Sequence, residues 1–192
     1  MHELRLVSPI PPSVNHYLAY RAVMKNGKPV AMSYETPESS KYKRAFTKYV
    51  QEEAEKQGWD MAPTKPQHFY VDTWFYFPRT DMDANNYFKV MLDAITDSKC
   101  IWMDDNVVCE RVQAICYDSA SPRVELLIHP VDYIGIFKNL PQYESFVSDC
   151  IGCTRYKRNC NILRNAVDGR VQDEVVNGRC SKCRSVKHVD KR

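Results

Sequence analysis

The spacing of apolar residues divides the first 130 positions into four strands and two helices. Alternation of apolar and polar residues predicts strands at about residues 2–8, 68–77, 107–117 and 123–129. Three- and four-residue spacing predicts helices at about residues 36–58 and 85–96, and the first begins with Thr36 as its cap and Pro37 at its first position. The last two strands are predicted to form a hairpin that turns at residues 119–122, and residues 9–35 are expected to be irregular.

The order β-α-β-α-β-β predicts an α+β fold with a small mixed sheet and helices on one face. Stripes of mainly apolar residues on the two helices and on the aromatic strand are expected to form the core. They comprise Tyr42, Ala45, Phe46, Tyr49 and Val50; Phe88, Met91, Leu92 and Ile95; and Phe69, Val71, Thr73, Phe75 and Phe77. We assign residues 1–130 to this domain, 131–148 to a linker and 149–192 to a cysteine-rich tail.

The composition suits one domain with an appendage, since the chain has 192 residues of which 44% are hydrophobic. It contains no apolar run of about 18 residues and no signal-peptide pattern, so we expect neither membrane insertion nor secretion, and a cytoplasmic location. The eight cysteines are then expected to be reduced or metal-bound. Of these, Cys100, Cys109 and Cys116 are interpreted as small buried hydrophobic residues.

Charge is divided unevenly along the chain. Residues 150–192 carry 11 Lys and Arg against 4 Asp and Glu, whereas the preceding residues carry 16 against 20. A basic tail of this kind indicates either a polyanionic partner such as nucleic acid or a solvated surface.

Six aspartates occur between residues 80 and 106, on both sides of the second predicted helix. Asp81 and Asp83 follow a strand, Asp104 and Asp105 follow the helix, and a strand–helix–turn path could bring them together. Close carboxylates repel each other by about 1 to 4 kcal/mol per pair unless a cation neutralises them. Mg²⁺ would do so, and a magnesium–carboxylate site is typical of phosphodiester hydrolysis. Alternatively, these aspartates are ordinary turn and cap residues.

A lysine shares this helix with the acidic residues. Asn85, Lys89 and Asp93 are four residues apart and lie on a face distinct from the apolar stripe. Lys89 could neutralise charge on a scissile phosphate, or it could form a plain surface pair with Asp93.

These residues resemble the RusA family of Holliday junction resolvases. The D-A-N-N-Y-F-K run from Asp83 to Lys89 is in register with the family's D-x-D-N-x-x-K, Leu92-Asp93-Ala94-Ile95 with its L-D-A-L, and Trp102-Met103-Asp104-Asp105 with its W-x-D-D. Residues 11–17, P-P-S-V-N-H-Y, match a fourth element, P-P-S-x-N-x-x-Y. The resemblance covers about residues 1–130.

The resemblance implies a dimeric, Mg²⁺-dependent (or Mn²⁺-dependent) endonuclease that resolves four-way DNA junctions in recombination or repair. It implies catalytic roles for Asp83, Lys89 and Asp105. Asn85 replaces the family's second aspartate, so Asp81 or Asp104 is expected to complete the metal shell together with Asn85. Arg21, Lys25 and Lys28, in the polar segment at residues 15–28, are expected either to contact DNA phosphates, as Lys89 would, or to lie on a mobile surface loop.

The tail contains two C-x-x-C motifs, formed by Cys150 and Cys153 and by Cys180 and Cys183. Four such thiolates predict a tetrahedral Zn²⁺ site and hence a zinc-ribbon-like appendage, with free thiols or a disulfide as the alternatives. Two further candidate ligands and a set of basic residues expected to bind DNA lie in the same segment: Cys160, His188, Arg155, Lys157, Arg158, Lys182 and Arg184.

Three functions fit these observations. The first is a junction-resolving endonuclease, and the second is a catalytically impaired zinc-containing protein that acts by binding DNA. The third is an unrelated acidic α+β domain with a zinc-ribbon interaction module. Cleavage of a four-way junction separates the first from the others.

Overall fold

A computed structural model describes residues 3–59, 67–170 and 173–184. The chain divides into an N-terminal unit, Met1–Thr64 with Phe69–Pro130, and a C-terminal unit, Lys65–His68 with Val131–Arg192. The elements of the N-terminal unit are β1 (Leu4–Pro9), β2 (Leu18–Lys25), β3 (Lys28–Glu35), α1 (Pro37–Lys56), β4 (Phe69–Phe77), α2 (Phe88–Ser98), β5 (Val108–Tyr117) and β6 (Arg123–Pro130). Those of the C-terminal unit are α3 (Leu140–Ile151), α4 (Ile162–Val167), β7 (Val175–Val176) and β8 (Arg179–Cys180).

The main sheet has four strands in the order β1-β6-β4-β5. β4 is parallel to β5 and antiparallel to β6, so the sheet is mixed, as the sequence predicts. All five residues of the predicted β4 stripe are buried. Four of them, Phe69, Val71, Phe75 and Phe77, share one core with Phe46 and Val50 of α1 and with the whole predicted stripe of α2. The predicted α+β architecture of this unit is therefore confirmed.

The structure confirms the predicted start of α1 but only part of its predicted buried stripe. Thr36 caps α1 by accepting the backbone N–H of Ser39, and Pro37 is its first residue, as predicted. Ala45 of the predicted stripe is exposed, however, and Ala54 is buried instead. Because 3.6 residues make one turn, the buried stripe drifts around a 20-residue helix.

The predicted hairpin of the last two strands is wrong, because β4 lies between them. The connection after β5 crosses the end of β4, where the backbone N–H of Asp118 donates to the Phe77 carbonyl at 2.8 Å. The side chains on one face of β4 are all buried. The central position of β4 gives the strand a hydrogen-bonded neighbour on each side, β5 and β6. As an outer strand, β5 leaves Cys109 and Cys116 only half-buried, whereas Cys100 is buried as expected.

The expectation of irregular structure at residues 9–35 is also wrong. β2 and β3 form a two-stranded antiparallel ribbon, in register from the Leu18–Glu35 pair to the Lys25–Lys28 pair. Asn26 and Gly27 both have positive φ, 52° and 74°, as a type I′ turn requires. An Asn-Gly pair between alternating residues is the local signal that predicts this ribbon.

On the face of the sheet opposite the core stripe, a buried carboxylate joins three strands. Asp72 on β4 accepts two bonds from the Arg111 guanidinium, each 2.6 Å long, and one from Gln113, both on β5. His129 Nε2 on β6 lies 3.1 Å away. Burial alone would raise the pKa of Asp72, but the bonds from Arg111, His129 and Gln113 outweigh it and hold that pKa below its ordinary value.

The Asp72→Asn variant is expected to lose about 2 kcal/mol of unfolding free energy at neutral pH, since it leaves the Arg111 charge without its partner. Because the folded-state pKa of Asp72 is lowered, its contribution is complete above the unfolded-state pKa and disappears as pH falls through the folded-state pKa. Urea unfolding at pH 7 and pH 3 should therefore show a difference from wild type that shrinks in acid. The exposed Glu52→Gln variant is the control, with a change of at most about 0.5 kcal/mol.

The C-terminal unit has its own small core. Phe137, Phe146, Ile162 and Ala166 are its buried members, and three cysteines pack against them: Cys150, Cys160 and Cys180. Residues 131–148, predicted as a linker, contain Phe137 and most of α3, whose N-cap is Asn139. The apolar residues of this segment need burial, so the structure corrects the linker prediction.

Among the described residues, no helix is both long and apolar enough to cross a membrane.

Candidate active site

Asp83 begins a 3-10 turn, Ala84–Tyr87, that leads directly into α2. Its Oδ1 accepts the backbone N–H of Asn85 at 3.0 Å. An aspartate at this position satisfies a donor that the turn would otherwise leave unpaired. The carboxylate is exposed, and it keeps Oδ2 for another partner. Asp83 is thus a cap residue, which was the alternative interpretation, and this role leaves ligand capacity.

Lys89 lies on the first turn of α2 and contacts Asp105, a predicted site residue, as well as Asp93, its partner in the alternative surface-pair interpretation. Its Nζ is 2.6 Å from Oδ1 of Asp93 and 3.5 Å from Oδ2 of Asp105. The bond to Asp93 raises the pKa of Lys89, burial opposes that effect, and Asp105 adds to it. Lys89 therefore stays protonated and holds one positive charge between the helix and the turn that follows it.

Trp102 explains why Asp105 reaches Lys89. Its side chain is buried, and its indole N–H donates to the Thr96 hydroxyl at 2.8 Å. Lys99, in the left-handed region with φ of 58°, ends α2 and allows the chain to turn back. Asp104 then caps a second 3-10 turn by accepting the backbone N–H of Asn106 at 3.0 Å.

Asp81 differs from its predicted setting, and a further acidic residue lies near the site. Asp81 pairs with Arg79 at 3.1 Å, and both side chains are 70% exposed. Glu110, at the start of β5, was not singled out from sequence. Partial burial raises the pKa of Glu110, and the charge of Asp105 raises it further. Glu110 therefore lies within electrostatic reach of Asp105. The sequence signal that could have identified Glu110 is its position five residues after Asp105, on the next strand.

The predicted crowding of carboxylates is not present. Within the described ranges, no group of three or more His, Cys, Asp or Glu side chains is arranged so that it could hold a metal ion. The contacts that do occur join Lys89 to Asp93 and Asp105, whereas Asp81, Asp83 and Asp104 bond to Arg79 or to backbone N–H groups. Asn85 is exposed beside Asp83.

The segment that precedes the ribbon is joined to the Asp83 turn. The backbone N–H of Val14 donates to the Asn86 carbonyl at 2.8 Å, so the P-P-S-V-N-H-Y run borders Asn85 and its neighbours. All four sequence elements of the resemblance therefore belong to one unit.

Comparison with known proteins agrees with this arrangement. Residues 9–129 match the family model described as Endodeoxyribonuclease RusA, which is more than half of the 192 residues. The chain belongs to the RusA family. The RusA domain implies, in general terms, an endodeoxyribonuclease that resolves Holliday junctions in DNA recombination. The comparison with curated proteins gave no match.

The RusA match ends at residue 129, before the part of the C-terminal unit that contains the two C-x-x-C motifs. These two motifs form similar turns. The backbone N–H of Cys153 donates to the Cys150 carbonyl at 3.0 Å, and that of Cys183 donates to the Cys180 carbonyl at 3.3 Å. The two turns are bonded to each other, since Arg184 N–H donates to Cys153 Sγ at 3.3 Å and the Arg184 carbonyl accepts Thr154 N–H at 3.0 Å.

The four cysteines of these motifs, Cys150, Cys153, Cys180 and Cys183 (the knuckle cysteines), line one cavity of about 160 Å³ together with Cys160. Burial raises the pKa of the Cys150 thiol to about 11, and the other four cysteines add to the shift. Basic residues surround the turns: Lys157, Arg158, Lys182 and Arg184 are exposed and Arg155 is half-buried. Lys182 also lies 3.6 Å from Glu174. His188, the other candidate ligand, lies outside the described residues.

Proposed function

We propose that this RusA-family chain is a Mg²⁺-dependent, structure-selective endodeoxyribonuclease that resolves four-way junctions by paired phosphodiester hydrolysis in recombination or repair. The observation that carries the proposal is the position of Lys89, between Asp93 and Asp105 and one turn beyond the Asp83 cap. The ammonium group of Lys89, held in place by two carboxylates, is suited to neutralise the charge that develops on a phosphate during cleavage. Mn²⁺ would serve in place of Mg²⁺.

The residues fit a magnesium ion whose coordination shell is completed by substrate. Mg²⁺ keeps several waters and is commonly bound by one or two carboxylates together with substrate phosphates. Oδ2 of Asp83 and the carboxylate of Asp105 would hold it, with the neutral amide oxygen of Asn85, Asp81 or Asp104 as further ligands. When bound, the ion would supply charge stabilisation and an acidified water.

The chain's own residues would have separate tasks at this site. Asp83 and Asp105 would orient the scissile phosphate through the ion, and Lys89 would stabilise negative charge on the leaving oxygen. Glu110 would add a further carboxyl group within electrostatic reach of Asp105. A homodimer would present two such sites, which symmetric cuts on opposing strands require.

A cleavage assay on a synthetic four-way junction tests this function. Wild-type protein with Mg²⁺ or Mn²⁺ should cut the junction into two nicked duplexes, whereas EDTA should suppress cleavage. Linear duplex and fork DNA are the substrate controls and should be cut far more slowly. Cleavage that persists in EDTA, or that is equally fast on linear duplex, would contradict the proposal.

Asn85 favours one second candidate function, a catalytically impaired protein that acts by binding DNA. Replacement of a carboxylate by an amide removes a negative charge from the metal site and so weakens its attraction for a cation. In the same assay, this candidate predicts tight junction binding without cleavage at any Mg²⁺ concentration.

For the C-terminal unit we propose a Zn²⁺ ion bound by Cys150, Cys153, Cys180 and Cys183. Support comes from the two matching turns, the hydrogen bonds that join them and the cavity that all four residues line. Since no preformed metal group is found among the described residues, the thiolates would close around the ion by side-chain rotation. The exposed bases around the turns would bind DNA phosphates and raise affinity for branched or duplex DNA.

A further inference from the structure

The ribbon of β2 and β3 is thin and has large exposed side chains. In the described part of the chain its strands pair only with each other and not with the main sheet. Eight residues per strand give it a length of roughly 25 Å. Its base is held at Thr36, whose N–H donates to the Tyr17 carbonyl at 3.0 Å and whose hydroxyl donates to the His16 carbonyl at 3.1 Å.

Cross-strand register gives the ribbon two faces, because paired residues project to the same side, and the three cations of the ribbon lie on only one of them. The apolar face carries Leu18, Tyr20, Ala22, Met24, Pro29, Ala31, Ser33 and, at its base, Glu35. The basic face carries Ala19, Arg21, Val23, Lys25, Lys28, Val30, Met32 and Tyr34. Tyr20 is 73% exposed and Met24 is 70% exposed, so the apolar face projects its largest side chains into solvent.

The positive charge of the ribbon suits a polyanionic partner such as DNA. Residues 18–34 include three basic side chains and no acidic one, and all three lie on the basic face. Arg21 lies 5.6 Å from the Tyr34 ring centroid, which braces its guanidinium. A positive β-ribbon with exposed aromatic and apolar side chains complements DNA, because phosphates attract the cations and unstacked bases accept the apolar groups.

The ribbon also begins beside the candidate active site. Val14, four residues before β2, bonds to the Asn86 carbonyl in the turn that Asp83 caps. DNA that reaches the Asp83 and Lys89 side chains would therefore pass the base of the ribbon.

We propose that the ribbon is a branch-point arm: its basic face follows the phosphates, and Tyr20 and Met24 contact bases that are unstacked at the crossover. Uninterrupted duplex offers no such bases, so the apolar face confers selectivity for junctions and the basic face supplies general affinity. This inference rests on the proposed junction-cleaving function.

Two variants of the full-length chain separate the faces. Tyr20→Ala/Met24→Ala should bind a four-way junction about 10-fold more weakly in Ca²⁺, while its duplex affinity stays within about twofold of wild type. Arg21→Gln/Lys25→Gln/Lys28→Gln should weaken binding to both and reduce the salt slope of log K by about 2 to 3. Tyr117→Ala, which removes a 56% exposed tyrosine from β5, is the matched control and should bind as wild type does.

Three outcomes would contradict the proposal that the ribbon is a branch-point arm. Equal losses on junction and duplex for the apolar-face variant, or no loss on either, would remove the selectivity role. A change in sedimentation without a change in DNA binding would assign the apolar face to a second copy of the chain. If any of these outcomes occurs while wild-type protein still cleaves junctions, only the proposal for the ribbon is wrong. If wild-type protein neither binds nor cleaves junctions, the proposed junction-cleaving function is wrong.

Discussion

Asp83→Asn and Asp105→Asn are each expected to abolish Mg²⁺-dependent cleavage of a four-way junction while junction binding stays within about threefold of wild type. Asparagine preserves the shape of each side chain and the cap at residue 83, but it removes the negative charge that would attract the metal ion. A loss of at least about 10³-fold in rate, about 4 kcal/mol in activation free energy, is expected. Single-turnover cleavage with protein in excess measures the rate, and gel retardation in Ca²⁺ measures binding.

Asp97→Asn is the matched control for these variants. Asp97 is an exposed aspartate on α2, between the two 3-10 turns, but it pairs with Lys43 at 3.3 Å rather than with Lys89, so cleavage should be unchanged. Asn85→Asp tests the same site in the opposite direction, because an added carboxylate should lower the Mg²⁺ concentration needed for half-maximal cleavage. If purified Asp83→Asn and Asp105→Asn both cleave at the wild-type rate, the assigned site is wrong.

Removal of the proposed zinc ligands is expected to unfold the C-terminal unit. Its buried core contains only four residues in the described ranges, and a core of that size depends on additional stabilisation. Structural Zn²⁺ sites of this class contribute about 10 to 16 kcal/mol at neutral pH. Wild-type protein should contain about one Zn²⁺ per chain by elemental analysis. Cys150→Ser/Cys180→Ser, which removes one ligand from each turn, should contain none and should lose a thermal transition.

Two cysteine variants make this test specific. Cys109→Ser changes a half-buried thiol on β5 of the RusA domain and should retain the metal. Cys160→Ser should also retain it, since the four knuckle cysteines would complete the tetrahedral shell of the proposed zinc ion. Loss of zinc in Cys160→Ser would move ligation to that residue, and a zinc-free wild type with a disulfide between the turns would contradict the site. Junction affinity of metal-stripped protein reports whether the tail contributes to DNA binding.

Elements with local signals could be predicted from sequence. Thr36 and Pro37 define the start of α1, and the apolar stripe of α2 is buried along its whole length. The Asn26-Gly27 turn was equally local, and its backbone geometry explains the ribbon that the sequence prediction omitted. Strand order was not predictable in this way, since the placement of β4 between β5 and β6 depends on hydrogen bonds between residues far apart in the chain.

The sequence by itself determined the element types, the core faces of β4 and α2, and the motif residues that mark a RusA domain, because side-chain periodicity and turn chemistry act over a few residues. Only the tertiary structure decided which of those motif residues touch. The buried Trp102, bonded to Thr96, brings Asp105 to Lys89. The distances between such groups depend on the packing of the whole core, and a local sequence pattern does not predict that packing.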